Sequence, residues 1–199
     1  FRYLRGHLDA SRGIIGTAVQ RGGLTALTLT ALLLERNTFN DPAQPEDGLQ
    51  GFGIALTIAG IGLFLGAFLA PYGVARFGRH RWIKFAMLAS AFSPLILAVS
   101  QTEIGLSATA FLTAFFGQNI KVTNDALVQS KIDDIYRGRV FSVYDVVVNG
   151  AIVSGAVIAA LMLPNTGDTF LVPLIVAVLY LTAGLRLLRA RVFFAPPVK

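Results

Sequence analysis

Apolar residues come in six long blocks, and polar residues gather in the gaps between them. The blocks are Gly13–Leu34, Phe52–Ala75, Trp82–Ser100, Ile104–Val128, Val140–Leu163 and Thr169–Leu185. A bilayer core ~30 Å thick needs about 20 apolar residues of helix to cross it. The pattern therefore predicts an all-α membrane protein, a bundle of six transmembrane helices over about residues 13–35, 50–75, 82–100, 104–129, 140–163 and 169–189. Almost nothing is left over for a water-soluble domain.

The gaps are readable as well. Phe1, Leu4 and Leu8 fall on one face of a short helix, with Arg2, Arg5, Asp9 and Arg12 elsewhere on it. Residues 1–12 are thus expected to form an interfacial cytoplasmic helix or a linker. The stretch Arg36–Gly48, with Asn37, Asn40, Pro42, Pro45 and several acids, is expected as an external loop. In the second block Gly62, Gly66 and Ala70 recur four apart on one helix face. Small residues at that spacing let two backbones approach closely in lipid. Pro71, Pro94 and Pro173 are candidate kink positions.

Composition changes the picture little; the placement of charge changes it more. Apolar residues make up 54% and charged residues 14%, against about 25% charged in a soluble domain. Mean hydropathy is +0.65 and the pI is near 10.1. Fourteen of the 17 Lys and Arg fall at four places: Arg2, Arg5 and Arg12; Arg76, Arg79, Arg81 and Lys84; Lys131, Arg137 and Arg139; Arg186, Arg189, Arg191 and Lys199. The alternate gaps hold Glu35, Asp41, Glu46, Asp47, Glu103 and Asp168 with Arg36. Strict alternation of basic and acidic gaps is the positive-inside pattern of a multi-pass cell-membrane protein, and it places both termini in the cytoplasm. A nucleic-acid surface would not be divided in this way. The chain begins with Phe, so it is expected to be a processed product or a piece of something longer.

Four ionisable residues lie inside the blocks: Arg21 in the first, Lys121 and Asp125 in the fourth, and Asp145 in the fifth. Each costs about 2.5–3.5 kcal/mol at membrane depth on insertion scales. Counting 1.5 Å per residue, Arg21 is ~14 Å from Arg12 and Lys121 ~15 Å from Lys131, with Asp125 and Asp145 each ~9 Å inside the cytoplasmic edge. Lys121 and Asp125 are four apart on one face, as are Asp145 and Asn149. Gln20, Gln118, Asn119 and Asn124 add amides nearby. The expectation is one electrically neutral cluster between the first, fourth and fifth helices. The third and sixth, with no ionisable residue at mid-depth, are expected to face lipid. Such a cluster serves either as a substrate and proton path or as a network that only locks helices together.

Other chemistries find no support. His7 and His80 both lie in basic cytoplasmic segments and Cys is absent, so no transition-metal site or other cofactor is expected. No glycine loop leads to Lys-Ser or Lys-Thr, which argues against an ATP-driven machine. The serines have no plausible His partner for hydrolysis, and the chain is not expected to be an enzyme.

Two connections carry a family resemblance. The segment from Gly66 through Ala70-Pro71-Tyr72-Gly73-Val74-Ala75-Arg76-Phe77-Gly78-Arg79-His80-Arg81 resembles the short basic loop motif of the major facilitator superfamily. In that family the motif stands between helices two and three, and more weakly between helices eight and nine. Val74 or a neighbour stands where the strong form has Asp, which fits the weaker copy. The segment Gln129-Ser130-Lys131-Ile132-Asp133-Asp134-Ile135-Tyr136-Arg137-Gly138-Arg139 resembles the loop before helix eleven of bacterial efflux-type members.

The resemblance covers essentially the whole chain and implies the C-terminal six-helix half, helices seven to twelve. In that family helices nine and twelve are peripheral, while seven, ten and eleven face the cavity. It implies a secondary active transporter of a small molecule, working by alternating access as a proton-coupled efflux antiporter. Asp125, Asp145, Arg21 and Lys121 would serve transport and proton coupling, and Gln20, Asn119, Asn124 and Asn149 the substrate cavity. Arg76, Gly78, Arg79, Asp133, Asp134, Arg137, Gly138 and Arg139 would form a cytoplasmic latch. The partners would be the bilayer, the substrate, protons and an N-terminal six-helix half, upstream in the same chain or separate. Two alternatives stand beside this: transport of a lysophospholipid or another amphiphile, and a non-transporting membrane scaffold or accessory subunit.

Overall fold

The computed structural model of the chain describes residues 8–132 and 134–189. Among these residues there are six α-helices: α1 (Leu8–Leu34), α2 (Pro45–Phe77), α3 (Arg79–Val99), α4 (Glu103–Lys131), α5 (Asp134–Met162) and α6 (Leu171–Arg189). All six expected crossings are present as helices, each longer than its apolar block, and α6 starts two residues after its block does. By length and composition alone, α2, α3 and α5 qualify as membrane spans. The central helices α1 and α4 carry Arg21, Lys121, Asp125 and most of the amides, which lower their apolar average.

Helix ends depart from expectation where local chemistry extends them. Leu8–Arg12 runs into α1 without a break, so the separate interfacial helix expected over residues 1–12 is not seen there; residues 1–7 lie outside the described residues. At the other end α1 passes into a π-helical turn, Glu35–Phe39. The Asn40 side chain closes this turn by donating to the Glu35 main-chain oxygen at 2.9 Å. The expected loop Arg36–Gly48 is correspondingly short, because α2 already starts at Pro45. Proline suits the first helical position, where its missing N–H would have had no partner. Glu46 and Asp47 in the same turn complement the positive end of the helix.

A single residue joins α2 to α3. Gly78 has φ +80°, a conformation open to glycine at little cost. Its N–H donates to the Val74 oxygen at 2.9 Å and its oxygen accepts from Trp82 N–H at 3.0 Å. The glycine of the basic motif is thus first of all a turn. Pro71 and Pro94 lie within continuous helices. Pro173 is the third residue of α6, in the first turn, where it removes no helix bond.

The packing is built on α1 and α4. On their outer sides, α2 packs against α4 and α5 against α1; α3 and α6 pack on each other and onto α4 and α1. Small residues make these approaches possible. Gly62, Gly66 and Ala70 are all buried, and a Cβ on Gly62 or Gly66 would overlap the Phe111 or Phe115 carbonyl of α4. Gly22 and Gly155 bring α1 against α5, and Gly23 lies under the Tyr180 ring of α6. Leu27, Leu34, Leu97, Leu106, Val176 and Tyr180 form one apolar core shared by α1, α3, α4 and α6. At the end of the bundle where α1 starts and α4 finishes, Ile14, Val128, Val140 and Tyr144 join α1, α4 and α5. The least covered helices are α2 and α5, where only 17% and 6% of the apolar span is buried, against 44% for α3.

Glycines on the same helix therefore separate by role. Gly62→Ala forces a methyl into the Phe111 backbone and is expected to destabilise by about 1–3 kcal/mol. Gly60→Ala, with nothing within 4 Å of its added Cβ, is expected to be neutral or stabilising by up to about 1 kcal/mol. Thermal unfolding of the two variants in detergent checks the pair.

Candidate transport site between the central helices

A polar seam runs along the contact of α1 with α4. Near the start of α1 Asn124 Nδ2 donates to the Gly13 oxygen at 3.0 Å and to Thr17 Oγ1 at 2.8 Å. The lack of a side chain at Gly13 makes room for that amide. One turn deeper Arg21 donates to Gln118 Oε1 at 3.0 Å. Beside it Gln20 lies over Gly117 and donates to the Thr113 oxygen at 3.2 Å. Thr17, Gln20, Asn119, Thr123 and Asn124 are each no more than 1% exposed. In hydrocarbon a helix pair gains little from apolar contact, and interhelical bonds of this kind hold it together.

The charged part of the seam is more open. Lys121 Nζ contacts Asp125 Oδ2 at 2.6 Å along α4, with the two side chains 40% and 26% exposed. Arg21 lies within electrostatic reach of Asp125 and of Tyr144 on α5. The Tyr144 hydroxyl sits beside Thr17 and Asp125 without a regular hydrogen bond to either. Gln20 Oε1, Asn124 Oδ1 and Asp125 Oδ1 are likewise buried with no hydrogen-bond partner in the protein. Spare polar capacity next to two cations and a carboxylate is what a site for an exchangeable proton or a polar ligand requires.

Lys121 and Asp125 are paired, with Arg21 within electrostatic reach; Asp145 does not join them. Asp145 and Asn149 are both exposed on α5, joined by the Asn149 amide donating to the Asp145 main-chain oxygen at 2.8 Å. Neither of the two ion pairs among the described residues includes Asp145. The cause is the face that α5 turns inward, which carries Val140, Tyr144, Ala151 and Gly155. Residue 145, one position on, is rotated by about 100°. Without Asp145 the cluster carries two positive charges and one negative, rather than the expected balance. Of the four expected cavity residues, Gln20, Asn119 and Asn124 are buried between helices and Asn149 is exposed.

Several contributors were not anticipated. Tyr180 of α6 is fully buried and donates to the Gln20 oxygen at 2.7 Å. Trp82 of α3 donates to Asn119 Oδ1 at 3.2 Å. Ser93 and Thr113 share a 2.7 Å hydrogen bond, and Thr109 donates to the Ser93 oxygen at 3.0 Å. The two helices expected to face lipid, α3 and α6, thus each send polar groups inward. The available signal was the presence of Tyr and Trp within apolar blocks, because their polar tips take partners when buried.

Both basic connections meet the last turn of α4. Arg79 donates to Ser130 Oγ at 2.7 Å, and Arg137 donates to the Gln129 oxygen at 3.3 Å. Arg137 also pairs with Asp134, three residues before it on α5. Arg76, Gly138 and Arg139 are exposed, and Asp133 lies outside the described residues. At the opposite end of the bundle Glu35 is 5% exposed, held by Asn40 and set over Gly51 of α2. Burial, then the nearby Glu103 charge, raises its carboxyl above the usual range, and the Asn40 hydrogen bond opposes that shift.

The seam predicts a contrast between two asparagines. Asn124→Ala leaves Thr17 and the Gly13 carbonyl without their partner and is expected to destabilise by about 1–3 kcal/mol. Asn149→Ala, at an exposed site, is expected to stay within about 0.5 kcal/mol. Unfolding midpoints in detergent distinguish the two.

Comparison with known proteins agrees with the helical architecture. Residues 14–199 match the Major Facilitator Superfamily. Two relatives, uncharacterized MFS-type transporters of Mycobacterium bovis and of Mycobacterium tuberculosis, are each 29% identical over 173 residues. That alignment takes in 87% of this chain and 38% of each relative, so the chain spans well under half of their length. No solved structure matches it significantly. With six helices packed around α1 and α4 and a match over nearly its whole length, the chain belongs to the major facilitator superfamily.

Proposed function

We propose that the chain is the C-terminal six-helix half of a secondary active transporter, which exports a small molecule across the cell membrane by alternating access in exchange for protons. The observation that carries this reading is the half-open Lys121–Asp125 pair beside Arg21 and Tyr144, on a membrane-embedded seam. Family membership and two relatives described as MFS-type transporters support it. In such transporters the cavity lies between two halves. The sparse covering of α2 and α5 fits helices that meet a second half.

In this reading Asp125 is the proton carrier. While ionised it is held by Lys121, with Arg21 close by. Protonation removes that attraction and frees Lys121 to engage a substrate or the opposite wall. Gln20, Asn119 and Asn124 are committed to interhelical bonds, so they position the wall rather than touch the cargo. Asp145 and Asn149 present polar groups on the open side of α5. A carboxylate at this depth is expensive against acyl chains, so they would face the cavity or the other half. Arg76, Arg79, Arg137 and Arg139 with Asp133, Asp134 and the glycines would latch the cytoplasmic ends, and the last turn of α4 receives both loops.

Flux of a candidate substrate panel into vesicles holding the full-length protein, with and without a proton gradient, tests this. Asp125→Asn is expected to cut gradient-driven flux to less than about a tenth of the parent. Gradient-driven flux at the parent rate in Asp125→Asn would contradict the assignment of Asp125, and parent-rate flux in Asp145→Asn as well would contradict proton coupling through either carboxylate.

A further inference from the structure

A cavity of about 310 Å³ lies where α2 ends and α3 begins, lined by Phe77, Arg81, Trp82 and Phe85. Its walls are aromatic. The Phe77 and Trp82 rings stack with centroids 5.9 Å apart and 5° between planes, and Trp82 stacks on Phe85 at 5.6 Å. Phe85 meets Phe116 of α4 edge-on at 6.3 Å, which fixes the far wall. The Trp82 ring is seated against Gly73, where a Cβ would overlap it, and its indole N–H is held by Asn119. The pocket is therefore preformed. Its volume is about ten times a water molecule's share of the liquid, and its one charged lining residue is a cation.

The electrostatic surroundings select the occupant. Arg76, Arg79, Arg81 and Lys84 crowd within nine residues, and the sequence has no Asp or Glu between Asp47 and Glu103. Arg79 reaches Ser130, a neutral group. The first turn of α3 has no acidic residue and no side-chain cap, yet it begins with Arg79, His80 and Arg81. Cations at a helix N-terminus oppose the helix dipole, so this arrangement gains from an external anion. An aromatic slot at the membrane–water boundary suits an acyl chain, and the arginine at its mouth suits a phosphate.

We infer that the Phe77–Trp82–Phe85 pocket with Arg81 is a binding site for an anionic phospholipid of the cytoplasmic leaflet, its acyl chain against the rings and its phosphate on Arg81. The site adjoins the seam through the Trp82–Asn119 hydrogen bond, and it does not depend on the transport reading. Bound there, the lipid would neutralise the crowded basic segment next to the Gly78 turn and tie the α2–α3 connection to the leaflet.

Trp82, the one tryptophan of this sequence, reports on the site directly. The full-length protein is placed in phosphatidylcholine vesicles containing equal mole fractions of either brominated phosphatidylglycerol or brominated phosphatidylcholine. Fluorescence of Trp82 is taken as the difference from the Trp82→Phe protein. The site predicts quenching by the brominated anionic lipid at a several-fold lower mole fraction than by the zwitterionic one. Arg81→Gln should abolish the preference, Arg81→Lys should retain most of it, and Arg139→Gln, an equal charge change at the other basic connection, should leave it intact. Equal quenching by the two lipids would overturn the inference. So would a preference that survives Arg81→Gln, or one lost equally in Arg139→Gln, which would mark a diffuse surface charge effect.

Discussion

The constraint on which the structure rests is that a polar side chain in hydrocarbon must find its partner inside the protein. Along α1 and α4 it is met by Asn124 on Gly13 and Thr17, Gln20 on Thr113, and Arg21 on Gln118. Each bond is modest, since interhelical hydrogen bonds in membranes contribute about 1–2 kcal/mol at most. They act together on one interface, and the glycines opposite them let the backbones come close enough. The other four helices are then placed by what α1 and α4 offer on their remaining faces: a small-residue row for α2, Gly22 for α5, and apolar and hydroxyl surfaces for α3 and α6.

The same seam sorts polar groups by commitment. The fully buried amides Gln20 and Asn124 use their N–H groups to fix helices. Lys121 and Asp125 keep part of their surface open, and Asp125 Oδ1 and the Tyr144 hydroxyl retain unused capacity. A rigid wall that carries a partly open ion pair is a physical basis for the proton exchange proposed here. The meeting of both basic connections at the last turn of α4 links that wall to those connections, because Lys121, Asp125 and Ser130 lie on one continuous helix.

Much of the fold was legible in the sequence, because period and length carry it. Six apolar blocks became six helices, and the Gly62–Gly66–Ala70 row became the α2–α4 contact. The helix ends were less legible: the π-helical turn after Leu34 and the start of α2 at Pro45 depend on local capping that block patterns do not record. The site was legible by residue type but not by direction. Arg21, Lys121 and Asp125 converge because α1 and α4 are neighbours. Asp145 shares their depth but turns away, since Tyr144 takes the inward position on α5. Depth along a helix can be counted from sequence; rotation about its axis depends on which neighbour it packs against.

The most direct test of the account is the water accessibility of this seam in the full-length protein. This sequence has no cysteine, so single replacements can be read against a clean background. Gln118→Cys and Lys121→Cys, on the open face of α4, are predicted to react with a small charged thiol reagent in membranes. Ile120→Cys, buried, and Val178→Cys, on the exposed apolar side of α6, are predicted to stay unreactive. Labelling of Lys121→Cys no faster than of Val178→Cys would mean that the charged seam meets no water, and would contradict the account.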